Sequence, residues 1–547
     1  MKKFAPLWGA VVGLMVTAPL TAVLYLAAQL AGWPFAPFNL FDWISGVLPG
    51  DILTFGIDMM IDSLRFFGGN EAVSNAKTAE QFMAVGMFLT AGIIAGTVFF
   101  TILRLLKRTN WIIGLIIGVL FAAPIIWINR QVTGEDFNPV LVIGWFGILF
   151  LAWGVALNYS FQRLWGGETP ALSVVEVAVT SPNAARNTVE RIDRRRFLIR
   201  LGASTAGITV VGGGVGAFLA RAAQQQREAQ LAGMGTRATN ITTFPNDSDP
   251  LIPAPGTRPE YTPVADHYKV FLRTEPSIIE EADWILPITG MVDNPQMLTL
   301  EQIRSNFPSR SQFVTLSCIS GRIGTTLIST TQWTGVSAQD LLADVGVQPE
   351  AKYLDITSED GFHESVALEL INNDPRIMFC YDWDDLPLPK DHGFPLRIWI
   401  PDLFGMKQPK WITGIEVTDE YRQGYWVERN WSEMAQVKTT SVIDTVAVDN
   451  IVEKGVQRLV PIGGIAWAGD RQISKVEVRM DGGGWEEAAL RAPLSETTWV
   501  IWRYDWPFTE GEHTFEVRTF EADGTPQIAE VSPQRPDGAT GIHRLDI

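Results

Sequence analysis

The chain has 547 residues, of which 47% are hydrophobic and 19% charged, and a formal net charge of −17. That length implies several domains, and so few charges over it imply a membrane part joined to a soluble part. The net negative charge argues against nucleic acid as a partner. Two cysteines make no disulfide framework, although a Cys318–Cys380 bridge stays open.

Five stretches lack formal charge and are long enough, or nearly so, to cross a bilayer: 4–33, 81–103, 111–128, 139–161 and 201–220. Between the first two, Asp51, Asp58, Asp62 and Arg65 share one helical face. Residues 51–67 therefore suit an amphipathic interfacial helix, or equally a short helix capping the bundle. Lys2, Lys3, Arg104, Lys107, Arg108, Arg163 and Arg194 to Arg196 fall on one side of the alternating spans. Few basic residues fall on the other, so the N-terminus is expected inside and everything beyond the fifth crossing outside. The expected location is thus a multi-pass cell-membrane protein with its soluble half extracytoplasmic. No histidine precedes His267, which excludes bis-histidine haem in the bundle. The spans carry no ionisable residue, so ion transport is not expected either. An anchor or partner-docking bundle is the plain reading.

Residues 193–204, DRRRFLIRLGAS, resemble a twin-arginine export signal ahead of the weakly hydrophobic fifth span. That route carries folded proteins, typically loaded with a cofactor. Residues 224–265 open with a glutamine run and continue with Pro245, Pro250, Pro253, Pro255 and Pro259. They read as a linker, either extended or wrapped over the next domain. The resulting plan has five parts. Residues 1–165 make a four-span membrane region, 166–223 a cytoplasmic loop with the fifth span, and 224–265 the linker. An α+β domain over 266–438 and an all-β domain over 439–547 follow.

Within the α+β domain, Val314, Leu316 and Cys318 alternate with polar neighbours, which predicts a strand with the thiol on its apolar face. Serine, glycine and threonine follow at once, so the strand ends at the thiol. Taken locally, an unpaired cysteine is more often a small core residue than a ligand. Cys380, in Ile-Met-Phe-Cys-Tyr, reads as such a core residue. Beyond residue 440, alternation in 475–479 and 515–519 around an Asp-Gly-Gly-Gly turn predicts an immunoglobulin-like sandwich.

Two long motifs then carry a resemblance. The run from Thr315 to Leu342 and the run DHGFPLRIWIPDLFGMKQPKWITGIEV, 391–417, are similar to the sulfite oxidase family, in particular its bacterial membrane-anchored molybdopterin-dependent oxidoreductases. The resemblance covers about Tyr268 to the C-terminus and leaves the five-span α-helical membrane bundle, read from hydropathy, outside it; it implies an α+β molybdopterin domain and an immunoglobulin-like domain of the dimerisation type. It implies a molybdenum–molybdopterin cofactor, no haem, and Cys318 as the thiolate ligand to the metal. Further cofactor contacts implied are His392, Arg397, Gly405, Met406 and Lys407, the last three gripping a terminal phosphate through backbone N–H groups and the lysine. Lys410 assists, and Thr357 or Ser358 donates to the pterin. Arg273, Arg322 and Tyr425, with Trp426 beside it, are implied on the substrate side.

Sulfite oxidases follow the cysteine with Asn-Arg-Arg, whereas Cys318 is followed by Ile-Ser-Gly-Arg-Ile. One basic residue is therefore missing at Ile323, and a doubly charged anion is less well compensated. The expected reaction is two-electron oxo transfer on a small oxyanion or a sulfoxide, with a separate cytochrome or quinone as electron carrier and a homodimer left open. A sulfoxide reductase, such as one acting on oxidised methionine, is the enzymatic alternative. A non-catalytic anchored binding module is the other.

Overall fold

Long runs of Leu, Ile, Val, Ala and Phe make helices in the first half, and shorter alternating runs make strands in the second. The structure is a computed structural model that describes residues 5–50, some positions between 52 and 63, and residues 76–106, 110–133, 138–165, 182–238, 243–455 and 457–547. The chain divides into two units, one essentially of helices up to residue 227 and one holding residues 228–547.

The helical unit contains α1 (Ala5–Ala31), α2 (Ala36–Val47), α3 (Ala76–Leu106), α4 (Trp111–Thr133) and α5 (Pro139–Trp165), and most of α6 (Pro182–Ala238). Among the described residues, five segments are long and apolar enough to cross a membrane: Ala5–Ala31, Lys77–Leu106, Trp111–Val132, Pro139–Leu164 and Arg195–Ala222. Each corresponds to one expected stretch. Helix α2 was not expected; a proline in its first turn, where no N–H donor is needed, favours its start. The helix expected over 51–67 falls largely outside the described residues.

Glycine lets the helices touch. A side chain on Gly13 of α1 would lie 3.2 Å from the Gly96 Cα of α3, and one on Gly118 of α4 would lie 2.9 Å from the Leu151 Cα of α5. Such backbone contact lets the helix axes approach closely. Trp153 Nε1 donates to Thr17 Oγ1 at 3.0 Å, satisfying both inside the bundle. Helix α6 runs on through the glutamine run to Ala238, past the point where a linker was expected to begin. Ala, Gln, Glu and Arg are strong helix formers, and no proline occurs between Gln224 and Pro245.

In the second unit, residues 243–266 are coil apart from one short turn of helix, and they strap across the strands. Thr262 N donates to Thr330 O at 2.8 Å, Asn246 Nδ2 to Ala492 O at 2.6 Å, and Arg258 pairs with Asp444 at 2.6 Å. One sheet has the order β2-β1-β10-β5-β6. Its strands are β1 (Leu286–Gly290), β2 (Gln296–Leu298), β5 (Tyr353–Ser358), β6 (His363–Ala367) and β10 (Ile412–Thr418). A second sheet contains β3 (Ser309–Ser317), β4 (Ile328–Ser337), β7 (Met378–Trp383) and β8 (Leu386–Pro387) in that order. There β9 (Arg397–Trp399) also pairs with β7. Short helices at Leu300–Asn306, Ala338–Val345 and Leu368–Asn373 pack on them. Trp333, Trp383, Trp399 and Trp411 are fully buried in this region.

The C-terminal region holds β11 (Thr440–Val446), β12 (Val452–Lys454), β13 (Gln457–Trp467), β14 (Ile473–Met480), β15 (Glu486–Leu490), β16 (Val500–Pro507), β17 (Thr514–Glu521) and β18 (His543–Asp546). Instead of the two sheets of a sandwich, the described strands follow one path, β11-β13-β16-β15-β14-β17-β18, with β12 on β13. Its two ends meet where Ile443 N donates to His543 Nδ1 at 3.0 Å.

This region also holds β3. Ser495 Oγ donates to Phe313 O at 2.7 Å, and Trp499 N donates to Thr315 Oγ1 at 3.0 Å. Gly324, at φ +80°, lies so close to the His543 imidazole that a Cβ there would be 2.7 Å from its Nε2. Arg376 adds a polar clasp, pairing with Asp374 and reaching Asp470 at 2.6 Å and Glu496 at 2.7 Å.

Candidate active site

Strand β3 ends at Ser317, and Cys318 stands just beyond it, as the alternation predicted. Val314 and Leu316 are buried and Cys318 is half-buried. Its backbone N–H donates to Leu327 O at 3.0 Å, which closes the loop from β3 to β4. Both cysteines are free thiols, so no Cys318–Cys380 bridge forms. Burial pushes the Cys318 thiol up, against the Ser320 hydroxyl 3.1 Å away, which favours the thiolate. Burial therefore favours the protonated thiol. Cys380 sits inside β7, fully buried, with its thiol pushed up to about 12 by burial.

A buried group of imidazoles and cations lies around Arg397, which is 2% exposed at the start of β9. Its guanidinium stacks 4.2 Å over Trp333, and its Nη1 donates to the His392 carbonyl at 3.0 Å. Its Nε has no partner among the described residues, and burial lowers its pKa to about 10. The His392 ring lies 4.8 Å from Trp383 and 5.0 Å from His267. Burial, and then the charges of neighbouring groups, hold both imidazoles neutral. His392 Nε2 and His267 Nε2 are buried without hydrogen-bond partners among the described residues. Gly393, at φ +112°, makes the crowding possible, because a Cβ there would lie 2.9 Å from Lys410 Cβ and 3.3 Å from Arg397 Cβ.

Lys410 belongs to this group. Its ammonium donates to Val270 O at 2.8 Å and lies 4.4 Å over Trp411, and its charge is felt at Cys318, His267 and His392. Lys407 is paired within the chain. Its Nζ is 2.6 Å from Glu364 Oε1 in a buried pair, and its backbone N–H donates to Phe404 O. Both donors of Lys407 itself are thus engaged within the chain. Gly405 packs instead against the Tyr268 hydroxyl and the Ser317 carbonyl, and Met406 is buried in an apolar cluster with Ile319 and Trp431. Trp426 packs against the same cluster, so this aromatic wall reaches the residue next to Cys318.

The two hydroxyls left open, Thr357 and Ser358, differ in their surroundings. Thr357 is exposed, its hydroxyl 3.4 Å from Gly414 O, whereas Ser358 is buried with its hydroxyl unpartnered among the described residues. Arg273 donates through Nη2 to Glu359 O at 2.8 Å, one residue from Ser358. Arg322 lies half-buried in the loop after Cys318. Tyr425 is half-buried beside Trp426, under the Arg429 guanidinium at 3.6 Å, and its N–H donates to His363 O at 3.0 Å. His267, Tyr268 and Glu364 carry no role in the sequence motifs, yet each is placed with residues that do.

These groups fit a large anionic heterocycle. Arg397 is buried with no carboxylate bonded to it among the described residues, beside two neutral imidazoles that have bare nitrogens. Such an arrangement is costly unless a ligand with both charge and hydrogen-bonding edges completes it. A molybdopterin would meet both needs, and Cys318, joined to the group through Tyr268 and Gly405, is a sulfur of the kind that molybdenum takes.

The family model for the oxidoreductase molybdopterin binding domain matches residues 273–426. The uncharacterized oxidoreductase YuiH of Bacillus subtilis (strain 168) is 32% identical over 151 residues, which cover 28% of this chain and 73% of that protein. The inducible nitrate reductase [NADH] 2 of Glycine max is 27% identical over 317 residues, covering 47% of this chain and 36% of the relative. The mitochondrial sulfite oxidase of Homo sapiens is 26% identical over 263 residues, covering 40% and 48%. The chain thus spans about a third of the length of the nitrate reductases it matches and about half of the sulfite oxidase.

Proposed function

This chain belongs to the family of molybdopterin-binding oxidoreductases that includes the sulfite oxidases, and we propose that it is a membrane-anchored, extracytoplasmic member performing two-electron oxo transfer. The observation that carries the reading is the buried guanidinium of Arg397, with no carboxylate bonded to it among the described residues, beside bare imidazole nitrogens and linked to Cys318 through Tyr268. When bound, the cofactor supplies a molybdenum that exchanges an oxygen atom and two electrons. Cys318 anchors it through sulfur, losing its thiol proton on binding. His392, Arg397 and Lys410 hold the pterin and its charge. Ser358 offers the hydroxyl that the sequence left between two residues. Arg273, Arg322 and Tyr425 face the substrate, and the wall from Ile319 to Trp426 keeps bulk water from it.

The five apolar helices support the anchor, and the arginine pattern supports the outward soluble half. The C-terminal strands act as a dimerisation module. Electrons leave or enter through a separate carrier, a cytochrome or a quinone. The isoleucine at 323 favours a less charged substrate, so a sulfoxide is the second reading beside an oxyanion.

The deciding measurement is molybdenum and pterin per polypeptide in protein made with the cofactor available. Wild type is expected to carry both, and Cys318→Ser to lose the metal. A wild type indistinguishable from Cys318→Ser, with neither metal nor pterin, overturns the reading. Sulfite-dependent reduction of an acceptor, against sulfoxide-dependent oxidation of a reduced dye, separates the two substrate classes.

A further inference from the structure

Of the polar groups buried in the soluble half, His267 has the least use for its position. It is 3% exposed and lies just before the region covered by the motifs. Its ring stacks on Tyr268 and meets Trp383 edge-on at 4.8 Å, so it cannot swing away. Its Nδ1 lies 3.0 Å from the Tyr268 carbonyl. A carbonyl only accepts, so Nδ1 carries the proton. In a neutral ring Nε2 is then a bare lone pair, and it is buried with no donor near it among the described residues. Three cations lie close enough to oppose a second proton: Arg397, Lys410 and Lys269. The ring is thus fixed as an acceptor, and its centre is 5.0 Å from that of His392.

An imidazole kept only for packing would be replaceable by a phenyl ring at no loss. An imidazole with one nitrogen bonded and the other aimed at nothing points to a ligand that donates. We propose that His267 is a cofactor-binding residue whose Nε2 accepts a hydrogen bond from an N–H of the pterin, next to the position held by His392. This rests on the cofactor reading above and extends it to a residue outside the matched motif. The pterin edge is rich in N–H groups, so the complementarity is of the ordinary kind: a fixed acceptor meets a fixed donor, and neither changes protonation.

The test uses the full chain, expressed with the cofactor available, extracted in detergent and assayed for molybdenum and for pterin released on denaturation. His267→Phe keeps the ring and removes the acceptor. The expected result is a pterin content lower by about tenfold, the usual consequence of leaving one buried donor unpaired, while the cofactor-free form melts no lower than wild type. His267→Gln, which restores an acceptor oxygen, is expected to recover part of the content. If the phenyl variant does not fold, His267→Met, flexible and without an acceptor nitrogen, takes its place against His267→Gln. Equal pterin content in wild type and the acceptor-less variant overturns the proposal and leaves the family reading intact. A wild type empty of pterin and molybdenum removes the family reading, and this proposal falls with it.

Discussion

The pair of Lys407 and Glu364 gives the sharpest test of how the site is built. The ammonium and carboxylate are 2.6 Å apart, with side chains 7% and 0% exposed. Burial pushes the Glu364 carboxyl up, and Lys407 is the main force holding it down. Lys407→Met strands the carboxylate in the interior, which costs roughly 3–5 kcal/mol. At about 2 °C per kcal/mol for a unit this large, the melting midpoint should fall by roughly 6–10 °C. Tryptophan fluorescence of the detergent-solubilised chain reads this directly.

The pH dependence has a definite sign. An acid whose folded pKa exceeds its unfolded value contributes its stability below the unfolded value, about 4.5, and loses it as pH rises through the folded one. The deficit of Lys407→Met should therefore shrink as pH falls from neutral toward about 4.5. Replacing both partners, Glu364→Leu with Lys407→Met, should recover most of the loss, because an apolar pair of similar volume carries no desolvation cost. A single variant that melts within about 1 °C of wild type, or a double variant no better than the single, would refute the argument. A double variant that folds yet carries no pterin would show that Lys407 serves the cofactor after all.

Arg397→Met should raise the stability of the cofactor-free form, since it removes a buried charge with no bonded counter-ion, and should abolish pterin loading; a destabilised cofactor-free form would contradict this. Ser358→Ala should lower pterin content by roughly five- to tenfold while Thr357→Ala leaves it unchanged, as measured on released pterin; the opposite order would return the role to Thr357. Changing Arg194 and Arg195 to Lys should strand the soluble half inside the cell, and digestion of that half by external protease in this variant would rule out the twin-arginine route.

The sequence made some of this legible through local periodicity. Alternation placed Cys318 at a strand end, and His392 and Arg397, five residues apart, lie together in the structure. Alternation also held the answer for β5, where Leu354, Ile356 and Ser358 share the buried face and Thr357 does not. What was not legible depends on partners far away in the chain. The destination of Lys407 is set by Glu364 on β6, and Lys410 rather than Lys407 joins the cationic group. His267 gains its meaning from Trp383 and His392, over a hundred residues on. The extension of α6 through the glutamine run shows helix propensity prevailing where composition alone suggested a tether.

The contacts from the C-terminal strands to β3 set a timetable. Ser495 and Trp499 hold Phe313 and Thr315 across some 180 residues of sequence. His543 braces Gly324 on the other side of the Cys318 loop. During synthesis the thiol emerges long before either support exists. A metal offered then would meet a loop with no fixed shape, so insertion of the cofactor belongs after the chain has left the ribosome and β18 has closed on β11. If the soluble half is extracytoplasmic, as proposed above, a protein finished in that order would cross the membrane already folded, and the step that completes its metal site would also fix the kind of gate it can pass through.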